Sequence, residues 1–201
     1  MMNYLKNSNI KIKPVDADLL NLINLANRSN LIDIFKSNIL EIGIGIGHKS
    51  INLAKLFDNY YGIEQLNDIY QICKENLLNH KSDVTLLNMD LKTFVNLTKN
   101  TDLKFNLVIL TNSIHFIGLD NLFQLIKKII GSPGYIIIIN PIARPYGWGD
   151  KELCEDSDKF NKQKWIKHRD KLKSIYNDLD NSPFLLKKTK NDFNYYYLLK
   201  L

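Results

Sequence analysis

The chain alternates between short apolar runs and stretches in which apolar residues recur every three or four positions. Runs of the first kind indicate buried strands, and the second spacing indicates amphipathic helices. Strands are predicted at residues 38–42, 60–64, 84–87, 105–110, 135–139, 184–188 and 193–201. Helices are predicted at residues 17–26, 51–57, 66–78, 91–97, 119–130 and 158–180.

Strand and helix alternate five times, which predicts an α/β fold with a doubly wound, mostly parallel sheet and helices on both faces. The helix at 119–130 is predicted to stop at Gly131, and Pro133-Gly134 is predicted to turn the chain into the fifth strand. The last two strands flank a polar turn at Asn191-Asp192, which predicts an antiparallel pair. The expected sheet is therefore seven-stranded.

Three glycines at alternate positions, Gly43, Gly45 and Gly47, follow the first strand, and Glu41 stands two residues before them. Glycines so placed allow a sharp turn at positive φ and let a ligand lie against bare main chain. The next helix would point free N–H groups at that ligand. A glycine-rich turn without a ligand remains an alternative.

The glycine spacing distinguishes between cofactors. A dinucleotide fingerprint, G-x-G-x-x-G, needs a glycine at His48, whereas here the third glycine comes one residue earlier. The pattern Glu-x-Gly-x-Gly-x-Gly instead resembles the first motif of class I S-adenosylmethionine (SAM)-dependent methyltransferases. A nicotinamide-dependent oxidoreductase remains the less favoured alternative.

This resemblance implies a Rossmann-like fold ending in an antiparallel hairpin, with SAM as cofactor. The carboxylate of Glu41 suits the ammonium group of the methionyl end. Glu64, which closes the second strand, would accept hydrogen bonds from the ribose hydroxyls, unless it is merely a solvated acid. Asp90 would accept a hydrogen bond from the exocyclic amine of adenine, while Met89 packs on the adenine ring. Asp90 could instead cap the helix that begins at Leu91. The cofactor-binding residues implied are Glu41, Gly43, Gly45, Gly47, Glu64, Met89, Asp90 and Thr111.

Two loops are expected to form the acceptor side. After the fourth strand, Thr111-Asn112-Ser113 lacks the Asn/Asp-Pro-Pro-aromatic motif of enzymes that methylate base amino groups, and Asn140-Pro141 follows the wrong strand for it. In the same loop His115 is the candidate general base, because its ordinary pKa is near ~6.5; packing is its alternative role. After the fifth strand, aromatic and basic side chains could line a pocket or only cap the core. The predicted substrate-binding residues are Asn112, His115, Arg144, Tyr146 and Trp148.

The length and composition of the chain bear on its domain organisation and on the kinds of site it can contain. The 201 residues suit one methyltransferase domain, with an N-terminal helical segment at 1–37, a SAM-binding core at 38–140 and an acceptor-side part at 141–201. No metal site or apolar run long enough for a membrane span is expected. Cys73 and Cys154 are predicted to be reduced thiols of a cytoplasmic protein.

The net charge of +6 permits a nucleic-acid partner through the basic helix at 159–173, which could equally be an ordinary solvated helix. The sequence therefore predicts a SAM-dependent methyltransferase, with a small-molecule acceptor preferred. An RNA or protein methyltransferase and a non-catalytic SAM-binding partner subunit are the alternatives. The acceptor atom and the oligomeric state stay open.

Overall fold

The computed structural model describes residues 14–28, 33–141, 162–192 and 194–201, without the side chains of His115, Pro141 and residues 162–169. The strands are β1 (Asn38–Ile42), β2 (Asn59–Ile63), β3 (Thr85–Leu87), β4 (Phe105–Thr111), β5 (Ile130–Pro141), β6 (Leu185–Lys190) and β7 (Asn194–Lys200). The α-helices are α1 (Ala17–Arg28), α2 (Ser50–Leu53), α3 (Asn67–Asn79), α4 (Leu91–Thr98), α5 (Ile114–Ile117), α6 (Leu119–Ile126) and α7 (Lys162–Asp180).

The seven strands form one sheet in the order β3-β2-β1-β4-β5-β7-β6. Strands β1 to β5 are parallel, and β7 runs antiparallel between β5 and β6. The predicted fold class, including the C-terminal hairpin, is confirmed. The strand order reverses between β1 and β4, and ligands of such sheets bind at that reversal, beyond the carboxyl ends of the strands.

The central strands are buried on both faces, which explains their continuous apolar sequences. In β4, Val108 and Leu110 pack in one core with α4, α6 and α7. Leu107 and Ile109 point to the opposite face and pack with α1 and the segment after α2. Alternate residues of β4 therefore pack in two separate hydrophobic cores, one on each face of the sheet. Packing on both faces holds β4, and with it the end of the strand, in a fixed position.

The predicted end of the helix at Gly131 is wrong. Helix α6 ends at Ile126, and Ile130 already belongs to β5. The chain joins the sheet early because the N–H of Phe105 donates to the carbonyl of Ile129 at 3.0 Å. Pro133-Gly134 then lies in an irregular part of β5, between the register pairs Phe105–Ile130 and Leu107–Tyr135, and not in a turn before the strand.

The helix after the glycines is shorter than the apolar spacing predicted. It is a four-residue α-helix, α2, continued by a 3-10 helix at Ala54–Leu56. The long C-terminal helix keeps its predicted end at Asp180. Searching the described residues for a helix long and apolar enough to cross a membrane finds none.

Candidate active site

The glycine turn between β1 and α2 is held against the end of β2. The backbone N–H groups of Gly43 and Ile44 both donate to the carbonyl of Ile63, at 3.0 and 3.2 Å. Gly43 has a φ of +70°, and a Cβ at this position would lie 2.9 Å from Ser113 Oγ. Because real Cβ atoms do not come so close, glycine is required for the turn to approach the end of β4.

The other two glycines have different surroundings. A Cβ at Gly45 would meet nothing within 4 Å, so open space lies beside this part of the turn. A Cβ at Gly47 would lie 2.9 Å from Cys73 Sγ, so this glycine makes room for α3. Burial, together with the nearby charges of Glu41 and Glu64, raises the pKa of the Cys73 thiol to about 12. The thiol is therefore protonated at neutral pH and inert as a nucleophile.

Glu64 directly follows β2 and binds the glycine turn. Its Oε2 accepts the backbone N–H of Gly45 at 3.1 Å, and its Oε1 accepts that of Leu66 at 2.9 Å. The residue is 7% exposed, so the alternative of a solvated acid is wrong. Each oxygen of an ionised carboxylate has a further lone pair, so both can still accept a hydrogen bond from a ligand.

Asp90 ends the segment after β3. Its Oδ1 accepts the backbone N–H of Thr93 at 2.7 Å and so caps α4. The capping role considered from the sequence is thus confirmed. The capping bond occupies one oxygen, and Asp90 and Met89 both line the same cavity as Glu64. Contact between Asp90 and the adenine ring therefore stays a prediction, and the helix-capping hydrogen bond of Asp90 does not exclude it.

Glu41 is engaged inside the protein. Its Oε2 accepts hydrogen bonds from Ser50 Oγ at 2.5 Å and from the Tyr60 hydroxyl at 2.8 Å, and the residue is 3% exposed. Burial raises the pKa of Glu41 above its usual range, although both hydrogen bonds act to lower it. This carboxylate joins the start of α2 to β2 and does not line the cavity.

The end of β4 closes the turn from the other side. The Ser113 hydroxyl lies 2.9 Å from the carbonyl of Ile42 and 3.1 Å from that of Thr111, and it donates to both. Asn112 has a φ of +58°, which is uncommon for a residue other than glycine. Its N–H donates to the carbonyl of Ile139 at 2.9 Å, so the sheet pairing holds this unusual conformation in place.

These strand ends surround a cavity of about 900 Å³, called here the cofactor cavity. It lies at the carboxyl ends of the parallel strands, where the strand order reverses. The structure brings six of the residues predicted from the sequence together in its wall: Gly43, Glu64, Met89, Asp90, Thr111 and Asn112.

A second cavity of about 610 Å³ borders the same edge of the sheet. Its wall includes Lys49 of the glycine turn, Ile139 of β5 and Tyr196 of β7. The Tyr196 hydroxyl donates to Asp16 at 2.7 Å and accepts from Asn191 at 2.8 Å. Burial and the hydrogen bond to Asp16 raise the pKa of Tyr196 to about 12, so it stays a neutral donor.

A family model described as a methyltransferase domain matches residues 36–197. The chain belongs to this methyltransferase family. It is a class I SAM-dependent methyltransferase, as the glycine motif indicated, and this decides against the nicotinamide-dependent oxidoreductase. None of the curated proteins compared with the methyltransferase matches it.

Solved structures share the fold of this methyltransferase at low sequence identity. A candidate caffeoyl-CoA O-methyltransferase from Staphylococcus aureus is 18% identical, with a TM-score of 0.63 over 99% of this chain and 98% of that one. An O-methyltransferase from Bacillus cereus, solved with S-adenosylhomocysteine (SAH), is 13% identical, with a TM-score of 0.60 over 100% and 88% of the two chains. TomG from Streptomyces achromogenes, an O-methyltransferase of tomaymycin synthesis solved with SAM, is 16% identical, with a TM-score of 0.58 over 93% and 81%.

The cofactor cavity of the methyltransferase fits SAM in size and chemistry. Its volume of about 900 Å³ is within the range of pockets that enclose a small organic ligand. Glu64 and Asp90 provide hydrogen-bond acceptors that suit the hydroxyl and amino groups of SAM, and Met89 supplies apolar surface. The open space beside Gly45 leaves room for a ligand against the main chain.

The structure does not describe the side chains of several residues that the sequence analysis singled out. Arg144, Tyr146, Trp148 and Cys154 lie outside the described residues, and His115 lies in α5 with its side chain outside the description. Sequence reasoning missed the wall of the cofactor cavity that α6 forms through Asn121 and Gln124. Their spacing of three residues on a helix was the available signal, but it is shared by most surface helices.

Proposed function

We propose that this methyltransferase transfers the methyl group of SAM to a hydroxyl oxygen of a small molecule. The observation that carries the proposal is the cofactor cavity, where Glu64 holds the glycine turn at the reversal of the strand order. The wall contains one cation, Lys92, among its described residues, which does not favour a polyanionic acceptor. O-methyl transfer is supported by the names of the structural relatives from B. cereus and S. achromogenes.

We assign the cofactor roles to residues at three neighbouring strand ends. Glu64 binds the ribose hydroxyls, and Asp90 with Met89 binds the adenine. Gly43 and Gly45 present bare main chain to the methionyl part. Gly47 and Glu41 act indirectly, because Gly47 packs against α3 and Glu41 joins α2 to β2. Ser113 fixes the position of the turn relative to β4.

The acceptor side is assigned to the ends of β4 and β5. When bound, SAM supplies a methyl group that bonds to the acceptor oxygen as its bond to sulfur breaks and the electron pair stays on sulfur. Thr111 and Asn112 border the acceptor, and His115 takes the proton of its hydroxyl group. Alignment of the reacting atoms supplies much of the rate in such a transfer. Arg144, Tyr146 and Trp148 complete the acceptor side in this proposal.

The size of the second cavity also supports a small acceptor. About 610 Å³ suffices for a drug-sized molecule. The cavity includes Lys49 of the glycine turn, so an acceptor there would lie close to the methionyl end of the cofactor. We further propose that residues 38–140 form the cofactor part of one domain and that residues 141–201 serve the acceptor.

The test is binding followed by turnover. Calorimetry should show binding of SAM and none of NAD, and mass spectrometry of the purified protein should find SAM or SAH. Radiolabelled methyl transfer is then measured with phenols, hydroxy-carbonyl compounds, amines, total RNA and basic peptides. Methylation of a hydroxyl compound is expected. Methylation confined to amines, RNA or peptides overturns the proposal, and so does tight SAM binding without any transfer.

A nucleic-acid partner is tested separately through α7. In the described side chains of this helix, Leu172, Ile175 and Tyr176 are buried whereas Lys171 and Lys173 are exposed. This is the pattern of an ordinary amphipathic surface helix. We therefore expect replacement of Lys171 and Lys173 by Gln to leave methyl transfer unchanged. Loss of a salt-sensitive RNA complex in that variant would favour the nucleic-acid alternative instead.

A further inference from the structure

The wall of the second cavity carries more negative than positive charge, although the chain as a whole is basic. Among its described residues are two carboxylates, Asp16 and Asp18, and one ammonium group, Lys49. The whole chain has a net charge of +6. Charges in the wall of a concave site act strongly on a ligand, because the low-dielectric walls focus the field. The cavity therefore favours a ligand that has a cationic group.

The two carboxylates are held on the side of the cavity that β7 forms. The Tyr196 hydroxyl donates to Asp16 Oδ2 at 2.7 Å, and Asn191 Nδ2 donates to Asp18 Oδ2 at 3.2 Å. Tyr196 is 1% exposed, and both aspartates are half-buried. Because the hydroxyl and carboxamide groups are neutral, these bonds fix the carboxylates in place and leave their negative charge uncompensated.

Capping of α1 explains only part of this arrangement. Asp16 Oδ1 accepts the backbone N–H of Asp18 at 2.9 Å, and an acid in the first turn suits the helix dipole. Within the described residues, however, neither Asp16 nor Asp18 forms an ion pair. Each carboxylate oxygen can still accept a further hydrogen bond. A cationic ligand would therefore supply the partner that both carboxylates lack in this part of the chain.

Lys49 gives the cavity its positive charge on a different side, at the glycine turn. It lies two residues after Gly47 and directly before α2. Burial raises the pKa of Glu41, and the positive charge of Lys49 is among the groups that act to lower it, so this charge lies near the end of β1. A cationic group of a ligand is therefore repelled from the turn and attracted to the start of α1.

We propose that Asp16 and Asp18 bind a protonated amino group of the methyl acceptor, while its hydroxyl group lies beside the glycine turn. This inference rests on the proposed function, because it names the acceptor class of the same reaction. An alkylamine is protonated at neutral pH, since its pKa is near that of lysine, about 10.4. The methyl carbon bonds to the hydroxyl oxygen, whose proton leaves. The amino group is unchanged, because a protonated amine has no lone pair with which to attack.

The test uses phenols of similar shape that differ in the charge of one arm. Tyramine has an ammonium group where 4-propylphenol has a methyl group and 3-(4-hydroxyphenyl)propanoate has a carboxylate. Radiolabelled methyl transfer should give tyramine a kcat/KM about tenfold or more above that of 4-propylphenol, as expected for hydrogen bonds between charged groups. The propanoate should be the poorest substrate. With SAH present, tyramine should also raise the melting temperature most.

Variants of Asp18 test whether this preference comes from the cavity wall. Asp18→Asn should bring the ratio of kcat/KM for tyramine and 4-propylphenol close to one, and Asp18→Lys should reverse the order in favour of the propanoate. Asp120 is the matched control, because Asp18 and Asp120 are each the second residue of a helix, α1 and α6. Asp120 is exposed and lies in neither cavity wall. Asp120→Asn and Asp120→Lys should keep the wild-type ratio.

Arms of other lengths make a negative result decisive. The pairs are 4-hydroxybenzylamine with 4-ethylphenol and 3-(4-hydroxyphenyl)propylamine with 4-butylphenol. Equal kcat/KM values and equal thermal stabilisation within every pair overturn the inference, and so does a preference for the amine that survives in Asp18→Lys. Methylation of hydroxyl compounds that excludes all amines overturns it too and leaves the proposed function intact. A wild type that binds no SAM, or methylates no hydroxyl compound, overturns the proposed function instead.

Discussion

The carboxylate of Glu64 accepts the backbone N–H of Gly45 at 3.1 Å. An acid at the end of β2 thereby orders the glycine turn that follows β1, before any ligand is present. The same carboxylate faces the cofactor cavity. One side chain therefore shapes the turn and offers acceptor atoms to the ligand, which reduces the ordering that binding itself requires.

Glu64→Ala should weaken SAM binding more than Glu64→Gln. Alanine removes both acceptor atoms, whereas glutamine keeps one oxygen for the turn or the ligand. Hydrogen bonds to charged groups contribute about 1.5–3 kcal/mol, so a loss of tenfold or more is expected for Glu64→Ala. Calorimetric titration with SAM measures this loss of affinity. Glu75→Gln, at an exposed position of α3, is the control and should bind normally; equal affinity in all variants would refute the assignment.

Gly45→Val should abolish SAM binding while leaving the fold intact. Valine would fill the open space beside the turn and would have to adopt a φ of +61°. Gly118→Val is the matched control, because Gly118 also has a positive φ of +79° and nothing within 4 Å of a Cβ. Circular dichroism should show a folded protein for both variants. Unchanged SAM affinity in Gly45→Val would place the ligand elsewhere.

Glu41 should make stability depend on pH. Its pKa is raised by burial, so the folded state holds this proton more tightly than the unfolded state. The stabilisation is complete below about pH 4.3, the ordinary glutamate pKa, and is lost as the pH rises through the higher pKa of the folded state. Urea unfolding of the wild type and Glu41→Gln should show the wild type losing stability relative to the variant over that range. A pH-independent difference contradicts this prediction, and Glu75→Gln again serves as the surface control.

Gly47→Ala should destabilise the protein through Cys73. The added Cβ would lie 2.9 Å from Cys73 Sγ, and the φ of +81° is itself unfavourable for alanine. The backbone strain costs about 1–2 kcal/mol, and the contact adds to it. Cys73→Ala removes the sulfur atom, so the double variant should be more stable than the sum of the single effects predicts. Strict additivity in a double-mutant cycle would exclude the contact.

The fold could be predicted from the sequence because its strands and helices have strong periodic patterns. The strand Asn38–Ile42 was predicted with its observed bounds, since it lies between polar Ser37 and the first glycine. The start of β5 was not predictable. Gly131 and Pro133 are ordinary signals for the end of a helix, but pairing with Phe105 draws Ile130 into the sheet. A long-range contact outweighed the local signals.

The site was predictable where a residue's place at a strand end determines its role. Glu64, Asp90 and Asn112 lie in the cofactor cavity because parallel strands end at one edge. Glu41 fits the same rule, yet its carboxylate is bound by Ser50 and Tyr60, which no spacing in the sequence reveals. Within the described residues the buried Asn140 side chain is unpaired, which could not be predicted for a related reason. The absence of a partner is a property of the folded surroundings alone.

The antiparallel β7 lies in the interior of the sheet, between β5 and β6. During synthesis β5 is complete long before β7, and its apolar residues then form an open edge. Such edges associate with other chains when they remain unpaired. Release of residues 194–200 from the ribosome is therefore the moment at which this edge is covered, and nascent chains stalled before that point should be the most prone to aggregate.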